Sequence, residues 1–200
     1  MNISKKISIF ILDRIKPYID HMSEDDFEIA QYGIEVFCMN LCKLPIILVI
    51  AYYLNILNYS ILVYIFFGLI RNFTWGIHMR SSLTCLIATC ICFFGVVFCS
   101  KLVELNYIIK IIISLICIYI IYKYAPSDTE ERPCLSSEIR RSNKLKSLIL
   151  GSIYISISFI FSNKIISNML LLSLFIQCLM ICPITYKIFN RRYNNYEYYE

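Results

Sequence analysis

The sequence predicts an all-α, polytopic membrane protein with six transmembrane helices and an N-terminal amphipathic helix in the membrane interface. Of its 200 residues, 58% are hydrophobic and only 16% are charged, and the mean hydropathy is +0.65. Soluble domains carry about 25% charged residues, so we expect lipid to be the main solvent of this chain. The apolar residues also gather in long runs separated by short polar segments. We therefore interpret residues 1–200 as one integral-membrane domain.

The first 20 residues alternate apolar and charged positions at helical spacing. This pattern gives a helix with one apolar face and one basic face, which is typical of helices that lie in the plane of the membrane. The apolar positions are Ile3, Ile7, Phe10, Ile11 and Ile15, and the charged ones are Lys5, Lys6, Asp13, Arg14 and Lys16. We expect residues 1–20 to form this interfacial helix.

Six apolar runs follow and predict the membrane spans. They cover residues 34–57, 60–70, 83–100, 105–124, 147–162 and 165–182. A span needs about 20 residues, so the second run is expected either to continue through residues 72–75 or to lie in a thinned or protein-lined region. Residues 126–146 are polar and predict a cytoplasmic loop, Asn163 and Lys164 predict a tight turn, and residues 184–200 predict a cytoplasmic tail.

The distribution of lysine and arginine orients these spans. With a cytoplasmic N-terminus, all but three of the 19 Lys and Arg residues fall on the inner side, the exceptions being Lys101, Lys110 and Lys164. Basic residues concentrate on the cytoplasmic side of membrane proteins. Both termini, and the polar segment around residues 71–85, are therefore predicted to face the cytoplasm.

Residues 71–85 interrupt the apolar pattern and predict the functional site. They contain Arg71, Gly76, His78, Arg80 and Cys85, together with the only Trp of the chain. A thiol becomes a nucleophile when an imidazole or a helix N-terminus stabilises its thiolate. Ionisable groups at membrane depth are costly and are usually functional. We predict that His78 and Cys85 are a catalytic pair.

The spacing of this pair requires a break in the helix. Seven residues of uninterrupted helix would separate His78 and Cys85 by roughly 10.5 Å along the axis. A hydrogen bond needs about 3–3.5 Å, so the chain must bend between them. We expect breaks at Trp75-Gly76 and Ser81-Ser82, with Ser81 or Ser82 as the N-cap of the next helix. Cys85 would then lie in the first turn of that helix.

The motif Arg71-x4-Gly76-x-His78-x6-Cys85 in a six-span chain resembles the accessory gene regulator B (AgrB) family of membrane endopeptidases. The segment from Tyr124 to Pro133 is similar to the family's loop between the fourth and fifth spans, and Gly33-Ile-Glu35 with Lys43 resembles its first span. The likeness covers nearly the whole chain. One position departs from the family: Trp75 stands where a first glycine is common.

The resemblance implies cysteine peptidase chemistry in quorum sensing. Such proteins cut a small amphipathic pro-peptide near its C-terminus and allow the product to close into a thiolactone or lactone autoinducing peptide. By this likeness Cys85 attacks the scissile carbonyl and His78 is first base and then acid. Arg71 and Arg80 would hold the acidic tail, and amides near residues 81–83 would stabilise the oxyanion. No cofactor is expected; the partners are an AgrD-like pro-peptide, the lipid bilayer and a second copy in a homodimer.

Several residues admit a structural interpretation as well. His78 could be a hydrogen-bonded structural residue. Glu35 and Lys43, eight residues apart in the first span, form either an intramembrane ion pair or part of the substrate site. Asp128 could orient His78. Most of the ten Cys residues lie inside apolar runs and are expected to pack as small hydrophobes.

Two other classes of protein fit the sequence less well than a peptidase. A small non-enzymatic transporter or scaffold subunit would also tolerate charges within spans, but it needs no cytoplasmic Cys activated by His. A metalloprotease is disfavoured because the chain has no His-Glu-x2-His motif or zinc-like Cys spacing. The net charge of +5 is spread over the loops, which gives no nucleic-acid signature and suits contact with anionic lipid.

Overall fold

The computed structural model describes residues 9–12, 14, 34, 43–77, 79, 81–130 and 133–198. The chain forms two compact units, residues 1–50 and residues 51–200, and each is considered by itself. In the first unit, residues 9–12, 14 and 34 are helical. Most of the predicted interfacial helix and of the first half of the first span lies outside the described residues. The first fully described helix, α1, is Lys43–Tyr53, which starts in the first unit and ends in the second.

The second unit contains the remaining helices. They are α2 (Leu57–Thr74), α3 (Ser82–Leu102), α4 (Tyr107–Tyr124), α5 (Ser137–Ile160), α6 (Lys164–Ile181), the short α7 (Pro183–Ile188) and a 3-10 turn (Asn195–Tyr198). The described part of the chain has no β-strand, and an isolated bridge joins Trp75 to Ser127. The predicted all-α class is confirmed for these residues.

Among the residues that the structure describes, three helices are long and apolar enough to cross a membrane. They are Leu83–Leu102, Tyr107–Tyr124 and Lys164–Ile181, and they match the predicted third, fourth and sixth spans within a few residues. The second span was expected to extend beyond residue 70, and α2 does continue to Thr74. The sequence predicts a short turn at residues 55–59 before this span; α1 ends at Tyr53, Asn55 adopts a φ of 54°, and α2 begins at Leu57. A total of six spans stays a prediction.

The prediction of a polar loop over residues 126–146 is wrong for its second half. Helix α5 already begins at Ser137, where the Ser136 hydroxyl accepts a hydrogen bond from the Ile139 N–H at 3.4 Å. Glu138 in the first turn complements the helix dipole. The polar composition of residues 137–146 suggested a loop. These residues instead form the first turns of a capped helix, whose charged side chains lie outside the apolar core.

The C-terminal tail is also more structured than a simple polar tail. Pro183 at the start of α7 fits the first turn of a helix, since its missing N–H needs no partner there. Tyr186 and Asn195 are buried. The segment after α6 therefore packs against the rest of the second unit.

Helix α6 is the central element of the second unit. It packs against α2, α3, α4 and α5, and its buried residues include Leu171, Leu174, Cys178 and Ile181. The Asn163 side chain caps it by accepting from the N–H groups of Ile165 and Ile166 at 3.0 and 3.2 Å, as the predicted turn requires. Because α6 touches four helices, it fixes how their ends meet.

The two ends of this bundle differ in their polar contacts. At one end, the buried ammonium group of Lys110 donates to the Ser158 carbonyl at 3.1 Å and to the Ser167 hydroxyl at 2.5 Å. At the other end of α4, about 21 Å from Lys110 at 1.5 Å per residue, the chain enters the segment that includes Ser127 and Asp128. The candidate site lies at this second end.

Candidate functional site

The site begins where α2 ends, in a turn with two successive residues of positive φ. Trp75 has φ 57° and ψ −130°, and Gly76 has φ 118°. The predicted break at Trp75-Gly76 is confirmed. A Cβ on Gly76 would lie 3.2 Å from the Met180 carbonyl oxygen, so only glycine fits without displacement. Trp75 carries a side chain in a backbone region that normally favours glycine, which implies local strain.

Three backbone hydrogen bonds to two other parts of the second unit hold this turn. The Gly76 N–H donates to the Ser127 carbonyl at 2.9 Å, and the Ser127 N–H donates to the Thr74 carbonyl at 3.0 Å. The Ile77 N–H donates to the Met180 carbonyl at 3.2 Å. Strained backbone persists only where its surroundings determine it in this way. The end of α6 and the segment after α4 together fix the path of the chain towards residue 78.

Arg71 braces the same turn from within α2. Its guanidinium donates to the Ile77 carbonyl at 2.8 Å and lies 5.6 Å from the centroid of the Phe67 ring. The sequence predicted that Arg71 binds an acidic peptide tail, and that role stays a prediction. The contacts described here are structural ones to its own turn.

Gln177 is a buried polar residue of the site that the sequence analysis missed. It lies on α6, its side chain is 0% exposed, and its amide nitrogen donates to the Thr74 hydroxyl at 2.7 Å and to the Trp75 carbonyl at 2.5 Å. The signal was present in the sequence: an amide side chain within an apolar span is costly unless it is hydrogen-bonded.

Cys85 lies in the first turn of α3, as predicted. Ser81 occupies the N-cap position, and the Cys85 N–H makes the helical hydrogen bond to the Ser81 carbonyl at 3.0 Å. Ser81 makes no side-chain capping bond among the described residues, and Thr84 donates its hydroxyl to the Ser81 carbonyl at 2.9 Å. Cys85 is a half-buried free thiol. The N–H groups before Cys85 have no partner within an α-helix, so they can serve ligands there.

Three predicted site residues, His78, Arg80 and Glu35, lie outside the described residues, and their roles stay predictions. Lys43 is described: it starts the described part of α1 and is 9% exposed. The helix that carries Cys85 begins after His78 in the sequence, and α2 ends before it. The described residues therefore do not form one uninterrupted helix through Cys85 from the end of α2. Such a helix would have kept His78 and Cys85 apart.

Asp128 is a buried carboxylate with a structural role that the sequence did not reveal. It is 2% exposed and accepts from the N–H groups of Cys134, Asn195 and Tyr196 at 3.1, 2.8 and 3.0 Å. These contacts tie the segment after α4 to the C-terminal 3-10 turn. The predicted role of Asp128 in orienting His78 is not tested by these contacts.

Tyr186 completes this connection. Its hydroxyl donates to the Asp128 carbonyl at 2.8 Å and lies 3.3 Å from the Ser127 carbonyl. Burial raises the pKa of Tyr186 to about 12, so the phenol stays protonated and able to donate at neutral pH. The same Ser127 carbonyl accepts from Gly76, which links the tail to the turn.

Together these features describe a helical protein with membrane-length apolar helices, with a cysteine in the first turn of α3 and a hydrogen-bonded, glycine-dependent turn at the end of α2. The chain belongs to the accessory gene regulator B (AgrB) family, whose model matches residues 4–181. The resemblance stated from the motif is thereby confirmed at the level of the family.

Individual relatives align over most of their length. A putative AgrB-like protein of Clostridium acetobutylicum is 28% identical over 182 residues, covering 90% of this chain and 87% of the relative. A putative AgrB-like protein of Listeria monocytogenes serotype 4a is 27% identical, with 88% and 87% covered. The accessory gene regulator protein B of Staphylococcus aureus strain MW2 is 27% identical, with 84% and 87% covered. No solved structure matches the chain.

Proposed function

We propose that this protein is a membrane cysteine endopeptidase that removes the C-terminal tail of a small amphipathic pro-peptide and allows the remainder to cyclise. The observation that carries the proposal is the position of Cys85, a half-buried free thiol in the first turn of α3. A helix N-terminus stabilises negative charge on a nearby sulfur or oxyanion. Membership of the AgrB family supports the same assignment.

The reaction follows from the chemistry of a thiol and an imidazole. The sulfur of Cys85 attacks the scissile carbonyl while His78 takes the thiol proton, and the imidazolium then protonates the leaving amine. The acidic C-terminal fragment departs, and a thioester joins Cys85 to the N-terminal fragment. A thiol or hydroxyl of the peptide attacks this thioester, closes the ring and releases Cys85 as a thiol.

The supporting residues surround this step. The N–H groups that precede the first helical bond of α3 stabilise the tetrahedral oxyanion, since backbone donors at a helix start are already oriented. Arg71 and Arg80 attract the acidic tail of the peptide. Glu35 and Lys43 contribute to the peptide site from the first span. A site that excludes water protects the thioester from hydrolysis.

The proposed location is the cell membrane, with the site and both termini on the cytoplasmic side. In the second unit, basic residues concentrate towards the end that carries the Trp75-Gly76 turn: Arg71, Lys123, Arg140, Arg141, Lys144, Lys146, Lys187, Arg191 and Arg192. Lys101, Lys110 and Lys164 lie towards the opposite end. This asymmetry supports the orientation, because basic residues favour the cytoplasmic side. Exposed apolar residues such as Leu83 and Leu115 suit contact with lipid.

Co-expression with an AgrD-like pro-peptide that has an acidic C-terminal tail tests the proposal. Mass spectrometry is expected to find the tail removed by the wild type and an uncut peptide with Cys85→Ala. Cys90→Ala is the matched control, because Cys90 is a half-buried free thiol five residues further along α3 and is expected to leave cleavage intact. Cleavage that persists in Cys85→Ala would overturn the assignment of Cys85 as the nucleophile, and a wild type that leaves the peptide uncut would favour a non-enzymatic transporter or scaffold subunit.

A further inference from the structure

Two lysines lie close to tyrosine rings where α4 ends and α5 begins. The ammonium group of Lys144 lies 4.9 Å from the centroid of the Tyr122 ring. The ammonium group of Lys123 donates a hydrogen bond to the Tyr119 hydroxyl at 3.3 Å. Tyr119, Tyr122 and Lys123 are three and four residues apart and therefore share one face of α4. Both ammonium groups are thus held on this face, at the end of the bundle that contains the candidate site.

Among the described residues, no carboxylate neutralises these two lysines. Helix α4 contains no Asp or Glu, and Glu138 is the only acidic residue in α5. Glu138 precedes Lys144 by six residues, which is about 9 Å along the helix axis. The ion pairs between described residues involve neither Lys123 nor Lys144. Two cations on one surface without a counter-ion create a positive potential that attracts an anion.

An exposed apolar stripe continues from the tyrosines along α4. Its residues recur every three or four positions and so lie on one side of the helix: Ile108, Ile112, Leu115, Tyr119 and Tyr122. The stripe is about 21 Å long at 1.5 Å per residue. One leaflet supplies about 15 Å of hydrocarbon, which is half of a core about 30 Å thick. Tyrosine side chains concentrate at the boundary between hydrocarbon and headgroups. In a bilayer, the two lysines therefore lie at headgroup level and the stripe lies in the hydrocarbon.

We propose that this surface binds an anionic phospholipid, with Lys123 and Lys144 on its phosphate and an acyl chain along the apolar stripe of α4. Lysine ammonium groups bind phosphate as point charges, and the tyrosine rings restrict where these two ammonium groups lie. The stripe favours a lipid over a free anion, because inorganic phosphate has no apolar part to cover it. The uncompensated positive charge favours an anionic lipid over a zwitterionic one, since the cation of a zwitterionic headgroup is repelled.

The lipid site is separate from the proposed peptidase site. Helix α4 packs against α5 and α6, whereas α3, which carries Cys85, packs against α2 and α6. The lipid site therefore does not depend on Cys85 as a nucleophile, and it can be tested without a peptide substrate. A lipid bound there holds this end of the bundle at a negatively charged leaflet, such as the cytoplasmic one.

Native mass spectrometry of the delipidated full chain in detergent tests the site. Phosphatidylglycerol and phosphatidylcholine with identical acyl chains are added separately, and the wild type is expected to retain about tenfold more phosphatidylglycerol. Lys123→Gln combined with Lys144→Gln should bind phosphatidylglycerol about tenfold more weakly and lose this preference. Lys123→Arg combined with Lys144→Arg keeps both charges and should keep the preference. A wild type that retains the two lipids equally would overturn the inference without any variant.

The matched control is Lys146→Gln combined with Lys187→Gln, which removes the same charge at the same end of the bundle. Lys146 lies 5.9 Å from the centroid of the Phe73 ring of α2, and Lys187 is exposed on α7. This control should retain phosphatidylglycerol as the wild type does. An equal loss in the two double glutamine variants would overturn the inference, because total charge alone would then decide binding.

Two other occupants give different results. Displacement of bound phosphatidylglycerol by inorganic phosphate would identify a free anion as the ligand and would contradict a lipid site. Light scattering reports on a second copy of the chain. A dimer in the wild type and a monomer in the Lys123→Gln and Lys144→Gln variant, with lipid binding unchanged, would assign this surface to subunit contact and overturn the inference.

Discussion

At the scale of single residues, the turn after α2 depends on two positions with very different side chains. Gly76 has a φ of 118° and the Met180 carbonyl close to where a Cβ would be. Trp75 has a φ of 57° and ψ of −130° despite its Cβ. The hydrogen bonds that this turn makes with Gln177, Ser127 and Met180 compensate the strain of this conformation.

Gly76→Ala is expected to destabilise the protein by about 1–3 kcal/mol, because it adds both backbone strain and a close contact. Thermal unfolding in detergent measures this change. Gly95→Ala is the matched control, since Gly95 lies within α3 and a Cβ there would meet nothing within 4 Å. That change should be neutral or should stabilise the helix by about 0.5–1 kcal/mol. Equal effects at the two glycines would contradict the argument.

Trp75→Gly and Trp75→Ala separate the backbone from the indole. Both variants lose the ring, but only glycine relieves the positive φ. The glycine variant should therefore be more stable than the alanine variant by about 1–3 kcal/mol. Unfolding of the two proteins under identical detergent conditions gives the difference directly. An alanine variant as stable as the glycine variant would show that the backbone at residue 75 is not strained.

At the scale of elements, the Asp128 carboxylate links the C-terminal segment to the bundle. Asp128 accepts hydrogen bonds from the N–H group of Cys134, six residues away, and from those of Asn195 and Tyr196, which lie more than 60 residues further along the chain. Ser127, beside it, pairs with the turn that follows α2. Hydrogen bonds therefore link the C-terminal tail, through the segment after α4, to the Trp75-Gly76 turn.

Asp128→Asn should weaken this attachment, because an amide presents one acceptor oxygen where the carboxylate presents two and carries no charge. We expect a loss of about 1.5–3 kcal/mol in unfolding free energy and faster proteolysis within residues 189–198. Glu138→Gln, an exposed carboxylate in the first turn of α5, is the control and should change either quantity little. Equal protease resistance in Asp128→Asn and the wild type would contradict the role of Asp128 in holding the C-terminal segment.

At the scale of the whole molecule, the bundle is organised around α6 with distinct chemistry at each end. One end contains the buried Lys110 with neutral oxygen partners and an exposed ion pair between Lys164 and Glu104 at 3.0 Å. The other end contains the site turn, Cys85 and most of the basic residues of the second unit. This polarity leads to a prediction about topology.

Glu104→Cys and Lys187→Cys are exposed positions at the two ends and test the orientation. In intact cells, a membrane-impermeant thiol reagent should label Glu104→Cys above the wild-type background. Lys187→Cys should be labelled only after permeabilisation, because basic loops stay in the cytoplasm. The reverse pattern would place Cys85 on the outer face and would contradict a cytoplasmic site.

Local signals in the sequence were enough to predict the helical class, several helix boundaries and the break before His78. Apolar runs set α3, α4 and α6, Gly76 permits the turn, and Ser81 precedes the helix with Cys85 in its first turn. The same signals failed over residues 137–146, where charged residues form solvated helical turns of α5.

Which distant groups meet could be learned only from the packed structure. Gln177 lies about 100 residues from the turn it holds, and Asp128 lies more than 60 residues from the tail it binds. Such pairings depend on how α6 packs against α2 and on where α4 ends. Local periodicity indicates whether a residue faces the core. It does not indicate which polar group from another helix will lie within hydrogen-bonding distance of that residue. That choice is made by packing, because a buried amide or carboxylate is stable only where partners converge on it.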